Sequence, residues 1–535
     1  MTDNRRPNIY LPVAFALTLA AGLLIGYYLM RVSLVSDAFS FQRPSKNSVE
    51  QIISYIKQNY VDTVNAEKLK EEAINGMLLS LDPHSQYIPA SDFNEANDPL
   101  MGKFDGIGVQ FHLEYDTVIV MNTVTGGPSE KLGIRGGDRI VKVDGKNIAH
   151  VKITNEQVMK LLKGPKGTKV KVTIKRKGVS SLIDFTIVRD EIPTWSIDIS
   201  YPVSKNVGYI KLSKFSATTH DELAEVLKKF KDQGIKKVIL DLRGNSGGFL
   251  NEAIAVSDEF LPAKKLIVYT KGLNRPKQSA YATSEGEWDD KPVVVLIDEN
   301  SASASEIVAG AIQDNDRGTV IGRRSFGKGL VQEQMNFSDG SALRLTVARY
   351  YTPTGRCIQK SYSGGVEDYY MEYYHRFTDG ELESADSVKL NDSLKYTTPK
   401  GKTVYGGGGI MPDVFIPLEK DSSLIFFNET ANKGILYQFA FDYSDRHRAE
   451  ITRYADWKKF DKAFKITPAL YSEYVAYAGK NGVKASPRSL AASRYRISEL
   501  LKAFIARNIF NDAGFYPIFL RTDKTFLKAV EIVNR

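Results

Sequence analysis

From Asn206 to Arg349 short apolar runs alternate with amphipathic ones, an order that few folds accept. The strand-like runs are Val207–Leu212, Lys237–Leu242, Leu266–Thr270, Pro292–Ile297, Thr319–Gly322 and Leu343–Arg349. Helix-like runs fall at Thr219–Asp232, Phe249–Phe260 and Ser303–Asn315. By composition Val293–Ile297 is a buried strand. The pattern predicts a layered α/β core over residues 191–417.

The flanking segments obey different rules. Residues 9–30 are uncharged and mostly apolar, long enough to cross a hydrocarbon core of about 30 Å. Arg5 and Arg6 precede them, which favours a cytoplasmic N-terminus with everything after Met30 outside. No small-x-small cleavage site follows, so a retained single-pass anchor is expected rather than a cleaved signal. Residues 45–100 read as helical, with one helix running from Ser48 to Leu79 until Leu81-Asp82-Pro83-His84-Ser85 stops it. Residues 101–190 read as a separate unit of short strands, punctuated by turns such as Gly126-Gly127-Pro128 and Asp144-Gly145. After Gly406-Gly407-Gly408-Gly409 the chain becomes mostly helical, and residues 418–535 carry no chemistry-bearing motif.

Several function classes drop out. The net charge is +9, yet Lys and Arg alternate with Asp and Glu and no nucleic-acid-binding pattern occurs, so no nucleic-acid partner is expected. One cysteine, Cys357, forms no internal disulfide, and the six scattered histidines offer no metal-ligand spacing, so neither metal nor cofactor is expected.

Three segments carry chemistry. Ser303 lies where the Val293–Ile297 strand passes into a helical stripe, beside free N–H groups and the positive end of a helix. An acyl-transfer nucleophile suits that place, although Ser301, Ser303 and Ser305 also suit a helix cap. Lys328 stands between Gly327 and Gly329, and in an extended stretch it shares a face with Gln332. Burial would have to bring an ordinary lysine pKa of about 10.4 toward neutrality for it to act as a base. A structural Gly-Lys-Gly turn is the alternative. In Asp241-Leu242-Arg243-Gly244-Asn245-Ser246-Gly247-Gly248 a strand ends in a glycine-rich turn that can aim the N–H of Gly248, with Gly247, into a cleft, where the Ala304 N–H joins it as an oxyanion donor. An ordinary strand-to-helix connection reads the same way.

Taken together, Ser-Ala-Ser-Ala-Ser-Glu, Phe-Gly-Lys-Gly-Leu-Val-Gln and Asp-Leu-Arg-Gly-Asn-Ser-Gly-Gly resemble the C-terminal processing (tail-specific) peptidases, as do Leu81–Ser85, Tyr351–Arg356 and the Gly-Ile-Met-Pro-Asp ending at Asp413. The resemblance runs from about Tyr60 to Pro417. It implies a crotonase-like core and a serine endopeptidase, with Ser303 as nucleophile, Lys328 as base, Gln332 as its aid, and no metal. Residues 104–189 resemble the PDZ domain that the family inserts. That likeness makes Gly106, Ile107, Gly108 and Val109 the loop binding a substrate's free C-terminus. The family often has arginine where this chain has Lys163, and in some relatives that arginine couples PDZ position to activation; lysine does not reproduce a bidentate contact.

The expected partners are proteins or peptides with accessible C-termini and the bacterial inner membrane, with the catalytic part in the periplasm. Residues 418–535 are either a homo-oligomerisation module or an adaptor-docking surface. A non-catalytic PDZ scaffold of the cell envelope is the rival function, and a Ser-His-Asp site using His375 the rival chemistry.

Overall fold

The computed structural model describes residues 10–37, 48–114, 116–419 and 421–535. Contacts divide the chain between Met77 and Leu78 into two compact units.

In the first unit, Leu11–Asp37 is one helix, and its Pro12–Met30 stretch is long and apolar enough to cross a membrane and buries none of its residues. Ile9, Arg5 and Arg6 lie outside the described residues. The single helix expected from Ser48 to Leu79 is two, Ser48–Asn59 and Ala66–Leu79. The break has a local cause. Asn65 Oδ1 accepts the N–H groups of Glu67 and Lys68, each at 3.1 Å, and so opens a new helix. Helical spacing on either side of Tyr60–Asn65 masked that cap.

In the second unit the small β segment is entered and left through one antiparallel ribbon, Lys103–Gly106 against Asp190–Pro193. Its antiparallel sheet runs in the order Val109–Glu114, Thr117–Thr123, Arg139–Val143, Lys169–Lys175, Ile183–Val188. Val118, Val120, Ile140, Val172 and Ile174 make its core with Val158 and Leu162 of the helix Asn155–Leu162. Thr154 starts that helix with a reciprocal cap: its Oγ1 accepts the Gln157 N–H at 3.2 Å and Gln157 Oε1 accepts the Thr154 N–H at 3.0 Å. Val109–Glu114 is an edge strand of the sheet.

The α/β core is a six-stranded sheet in the order Ile197–Pro202, Val207–Leu212, Lys237–Asp241, Val293–Ile297, Thr319–Gly322, Val414–Phe415. Its first pair is antiparallel and the rest are parallel. Strand alternation sends Ile210, Leu240, Val295 and Val320 to one face, against Leu227, Phe230, Val256 and Val308 of three helices. It sends Tyr209, Ile239, Leu296 and Ile321 to the other. That second face is covered by Phe526, Ala529 and Val533 of Lys524–Asn534, so part of the region from residue 418 onward is a layer of the core itself. The rest of that region packs helices around its own aromatic centre, including Phe426, Phe439, Phe460 and Tyr474.

A second, antiparallel sheet stands beside the core. Its long strand Ala342–Tyr351 pairs with Leu330–Asn336 on one side, and with Gln86–Ile88 and then Leu266–Lys271 on the other. The helix Phe93–Met101 precedes the β ribbon, and its residues roof a cavity beside this sheet.

Candidate active site

That cavity, of about 520 Å³, is bounded by the Ser246-Gly247-Gly248 turn of the third motif, the start of the helix Ala304–Asp314, and the Leu330–Asn336 hairpin wall, and both Ser303 and Lys328 line it. A larger cavity, about 740 Å³, between the small β unit and Asp442 is lined by no serine or cysteine.

Ser303 has φ +55° and ψ −113°, outside the regions that side-chain-bearing residues ordinarily adopt. The three serines of the motif separate clearly. Ser301 Oγ donates to the Leu242 carbonyl at 2.9 Å and Ser305 Oγ to the Asn245 carbonyl at 2.8 Å, both fully buried. Ser303 alone of the three lines the cavity.

Lys328 follows Gly327, whose φ of +92° turns the chain into the cavity. Its Nζ donates to Gln332 Oε1 at 3.0 Å, and Gln332 Nε2 donates to the His84 carbonyl at 2.6 Å, so the amide has a fixed orientation. The sequence expectation that these two side chains share a face holds in the structure. Burial pulls the Lys328 pKa below its ordinary value, helped by the charge of Arg344 and opposed by Asp82 and Glu306. Among the described residues no hydrogen bond joins the Ser303 hydroxyl to the Lys328 amine.

Glu306 ties the two loops together. It is fully buried, and its carboxylate accepts the N–H groups of Ser303 at 2.8 Å, Gly327 at 2.7 Å and Lys328 at 2.9 Å, with the Ser325 hydroxyl as a fourth donor. Burial pushes its carboxyl up, and these four donors work against that shift. Tyr350 braces the same place from the neighbouring sheet, its hydroxyl donating to the Lys328 carbonyl at 2.6 Å and lying 3.1 Å from the Ser303 carbonyl. Asp82 holds the Leu81–Ser85 turn by accepting the N–H groups of His84 and Ser85, each at 2.8 Å. His84 is pulled down to about 4 by burial and by the Lys328 charge, so it is neutral around pH 7. Glu306 had a sequence signal, since Ser303-x-x-Glu306 is a capping-box spacing. Tyr350 had none.

The glycine turn lies against Ser303. The Phe249 N–H donates to the Phe215 carbonyl at 2.9 Å, and a Cβ on Gly248 would lie 2.0 Å from that carbonyl oxygen. Only glycine fits there. The Gly248 N–H finds no acceptor among the described residues, and neither does that of Ala304, the first residue of its helix. Behind the turn, burial would raise the Asp241 carboxyl, but the charges of Arg243 and Lys211 hold it well below its usual range. Arg243 also reaches Asp523, at 2.7 Å, just before the terminal helix.

In the small β unit, Gly106 ends the entry ribbon and Val109 begins the edge strand. Between them Gly108 takes φ +71°, and the N–H groups of Ile107 and Gly108 find no acceptor among the described residues. Lys163 lies at the end of the Asn155–Leu162 helix, its Nζ 3.1 Å from Asp98 of the roof helix and over the Phe104 ring. His375 sits exposed on the helix Val366–Thr378, not in a loop, and does not line the cavity.

Four family models match the chain: peptidase family S41 at residues 206–370, PDZ domain at 106–187, activating protease CtpB N-terminal domain at 34–91, and a family of unknown function at 426–511. The carboxy-terminal-processing protease of Bartonella bacilliformis is 42% identical over 313 residues, 58% of this chain and 71% of the relative. The carboxy-terminal processing protease CtpA of Bacillus subtilis is 38% identical over 306 residues, 57% of this chain and 65% of the relative. A solved photosystem II D1 C-terminal processing protease is 28% identical, covers 57% of this chain and 81% of that one, and superposes with a TM-score of 0.33.

Proposed function

Since this chain belongs to the carboxy-terminal processing proteases, serine-type peptidases of family S41 with a PDZ domain, we propose that it is an endopeptidase in which Ser303 is the nucleophile and Lys328 the general base. The observation carrying this assignment is a half-buried lysine with a lowered pKa, held by Gln332, in the cavity that Ser303 alone of its motif lines.

In this mechanism a bound substrate excludes water and brings the Ser303 hydroxyl to the neutral Lys328 amine, a contact that often tightens only when substrate engages. The amine takes the hydroxyl proton as Oγ attacks the scissile carbonyl. The Gly248 and Ala304 N–H groups hold the oxyanion. The Lys328 ammonium then passes its proton to the departing amine, leaving the acyl group on Ser303 and the lysine neutral. A water, deprotonated by the same amine, attacks the ester, and the resulting ammonium returns its proton to Ser303 Oγ as the acid product leaves, restoring the neutral lysine.

Tail recognition uses main-chain groups. A substrate's terminal carboxylate accepts the Ile107 and Gly108 N–H groups, and its backbone pairs with the open edge of Val109–Glu114. Lys163, through Asp98 on the roof helix, links the position of the PDZ unit to the cavity. The layered α/β arrangement supports a crotonase-like core. Residues 9–30 anchor the chain in the bacterial inner membrane as a single span, with the catalytic part in the periplasm; the 19-residue stretch Pro12–Met30 is roughly 28 Å long as a helix, matching a hydrocarbon core.

The test is cleavage, by the full chain in detergent, of an unfolded protein with a free C-terminal tail. Wild type cleaves it and Ser303→Ala, folded to the same extent by circular dichroism, does not. Equal cleavage by both would exclude Ser303 as nucleophile.

A further inference from the structure

We propose that Arg344 selects substrates bearing an acidic side chain close to the scissile bond. This rests on the peptidase assignment and names the substrate class for the same cavity.

Arg344 belongs to the wall of the cavity. Arg344 lines the cavity beside Gln332, Gln334 and Lys328, and Ala342–Tyr351 carries a bulge opposite Val331 and Gln332, so Arg344 and Thr346 share one face while Tyr350, beyond the bulge, donates to the Lys328 carbonyl. Across the hairpin, Arg344 is in register with Gln334 and Thr346 with Gln332. Arg344 therefore stands one pleat repeat, about 7 Å, from the level of the glutamine that holds Lys328. A substrate strand laid along this wall passes within a residue or two of it.

Its partners are all neutral. Four arginines of the core are each matched to a carboxylate: Arg243 to Asp241, Arg324 to Glu381, Arg356 to Asp314 and Arg376 to Glu372. Arg344 Nη2 instead donates to two neutral amides, Gln334 Oε1 at 3.0 Å and Asn97 Oδ1 at 3.4 Å. Among the described residues it makes no salt bridge, and its Nε and Nη1 donate to nothing. Burial without a counter-charge lowers its pKa, yet a guanidinium stays cationic at any physiological pH. No Asp or Glu lines the cavity, and with Lys328 neutral in the working enzyme Arg344 is its standing charge. A site built in this way gains a charge-assisted, fork-shaped contact from a carboxylate and loses from a second cation.

The test uses the full chain and peptides with one common C-terminal tail, varying one residue at a time among Asp, Asn, Ala and Lys over three positions on each side of the cleaved bond. At one position Asp is expected to exceed its isostere Asn in kcat/KM by about tenfold, and Lys to be the poorest. Arg344→Gln, which removes the charge and keeps a polar side chain, should bring the Asp to Asn ratio close to one. Arg344→Glu should make Lys the preferred residue, and Arg344→Lys should keep the Asp preference at reduced size. Wild type that cleaves the Ala peptides and treats Asp and Asn alike at every position overturns the selection by Arg344, as does an Asp preference that survives in Arg344→Glu. Wild type that cleaves none of the peptides, nor the unfolded tailed protein, overturns the peptidase assignment instead.

Discussion

A Cβ placed on Gly247 would lie 2.8 Å from the Cβ of Ser303, so the glycine turn and the serine loop touch backbone to backbone. Gly247 also takes φ +103°, a conformation that side chains disfavour. Gly247→Ala is expected to push the turn away from Ser303 and to lower kcat/KM on a tailed substrate by roughly 100-fold, the scale of a displacement near 1 Å at a reacting group. Steady-state kinetics beside a thermal melt check this. Full activity in the variant would mean that the turn does not bear on the chemistry.

In the proposed mechanism Lys328 acts as a base only when neutral, and burial has lowered its pKa. Activity should therefore fall as pH drops through that lowered value, because protonation removes the base. Arg344 adds to the lowering, so Arg344→Gln should move the acid limb of kcat/KM to higher pH, while Asp82 and Glu306 act in the opposite sense and His84, pulled down to about 4, stays neutral there. A pH–rate profile from pH 5 to 10 reads both effects. Lys328→Arg should show no activity across it, since guanidinium does not deprotonate.

Glu306→Gln removes charge without changing shape. One amide end would face N–H donors from Ser303, Gly327 or Lys328 in place of an acceptor oxygen. The expected result is a loss of about 1–3 kcal/mol in stability from the mismatched buried groups, with kcat falling more than KM rises. Urea unfolding and single-turnover kinetics separate the two. Unchanged kcat would show that the carboxylate only holds the fold.

Lys163 and Asp98 are both partly exposed, so their ion pair should couple by less than about 1 kcal/mol. Lys163→Ala and Asp98→Asn should each lower cleavage of a tailed substrate by a few-fold, and the double variant should add nothing further. The comparison is with the same substrate lacking its free terminus. Additive losses would separate the two residues.

How far the sequence anticipates this architecture depends on the range of the interactions. The strands of the core follow local composition and turn residues, so runs such as Val207–Leu212 and Thr319–Gly322 emerge with their expected ends. Lys328 and Gln332 are four residues apart on one extended stretch, and their contact is legible for that reason. Tyr350 and Arg344 reach the cavity only through the pairing of Ala342–Tyr351 with Leu330–Asn336, which no local pattern announces. The short break at Tyr60–Asn65 was hidden because helical spacing resumes at once.

Phe526, in the terminal helix, is 6% exposed and packs edge-on to Tyr209 of the central sheet, at 5.4 Å between rings. Phe526→Ala should destabilise the protein by about 3–5 kcal/mol, as for other large aromatic truncations in a core. Chemical denaturation gives the figure. A loss under 1 kcal/mol would mean that the helix is a loose attachment.

That helix also sets an order of events during folding. The strands it covers lie between Val207 and Ile321, and their cover, beginning at Phe526, arrives about two to three hundred residues later in the chain. Until then one side of the catalytic sheet offers bare apolar surface to water, and contacts of such sequence separation form slowly. The glycine turn is tied to that distant segment by the ion pair of Arg243 with Asp523. A nascent chain thus closes that face of the sheet late, after the strands themselves have been made.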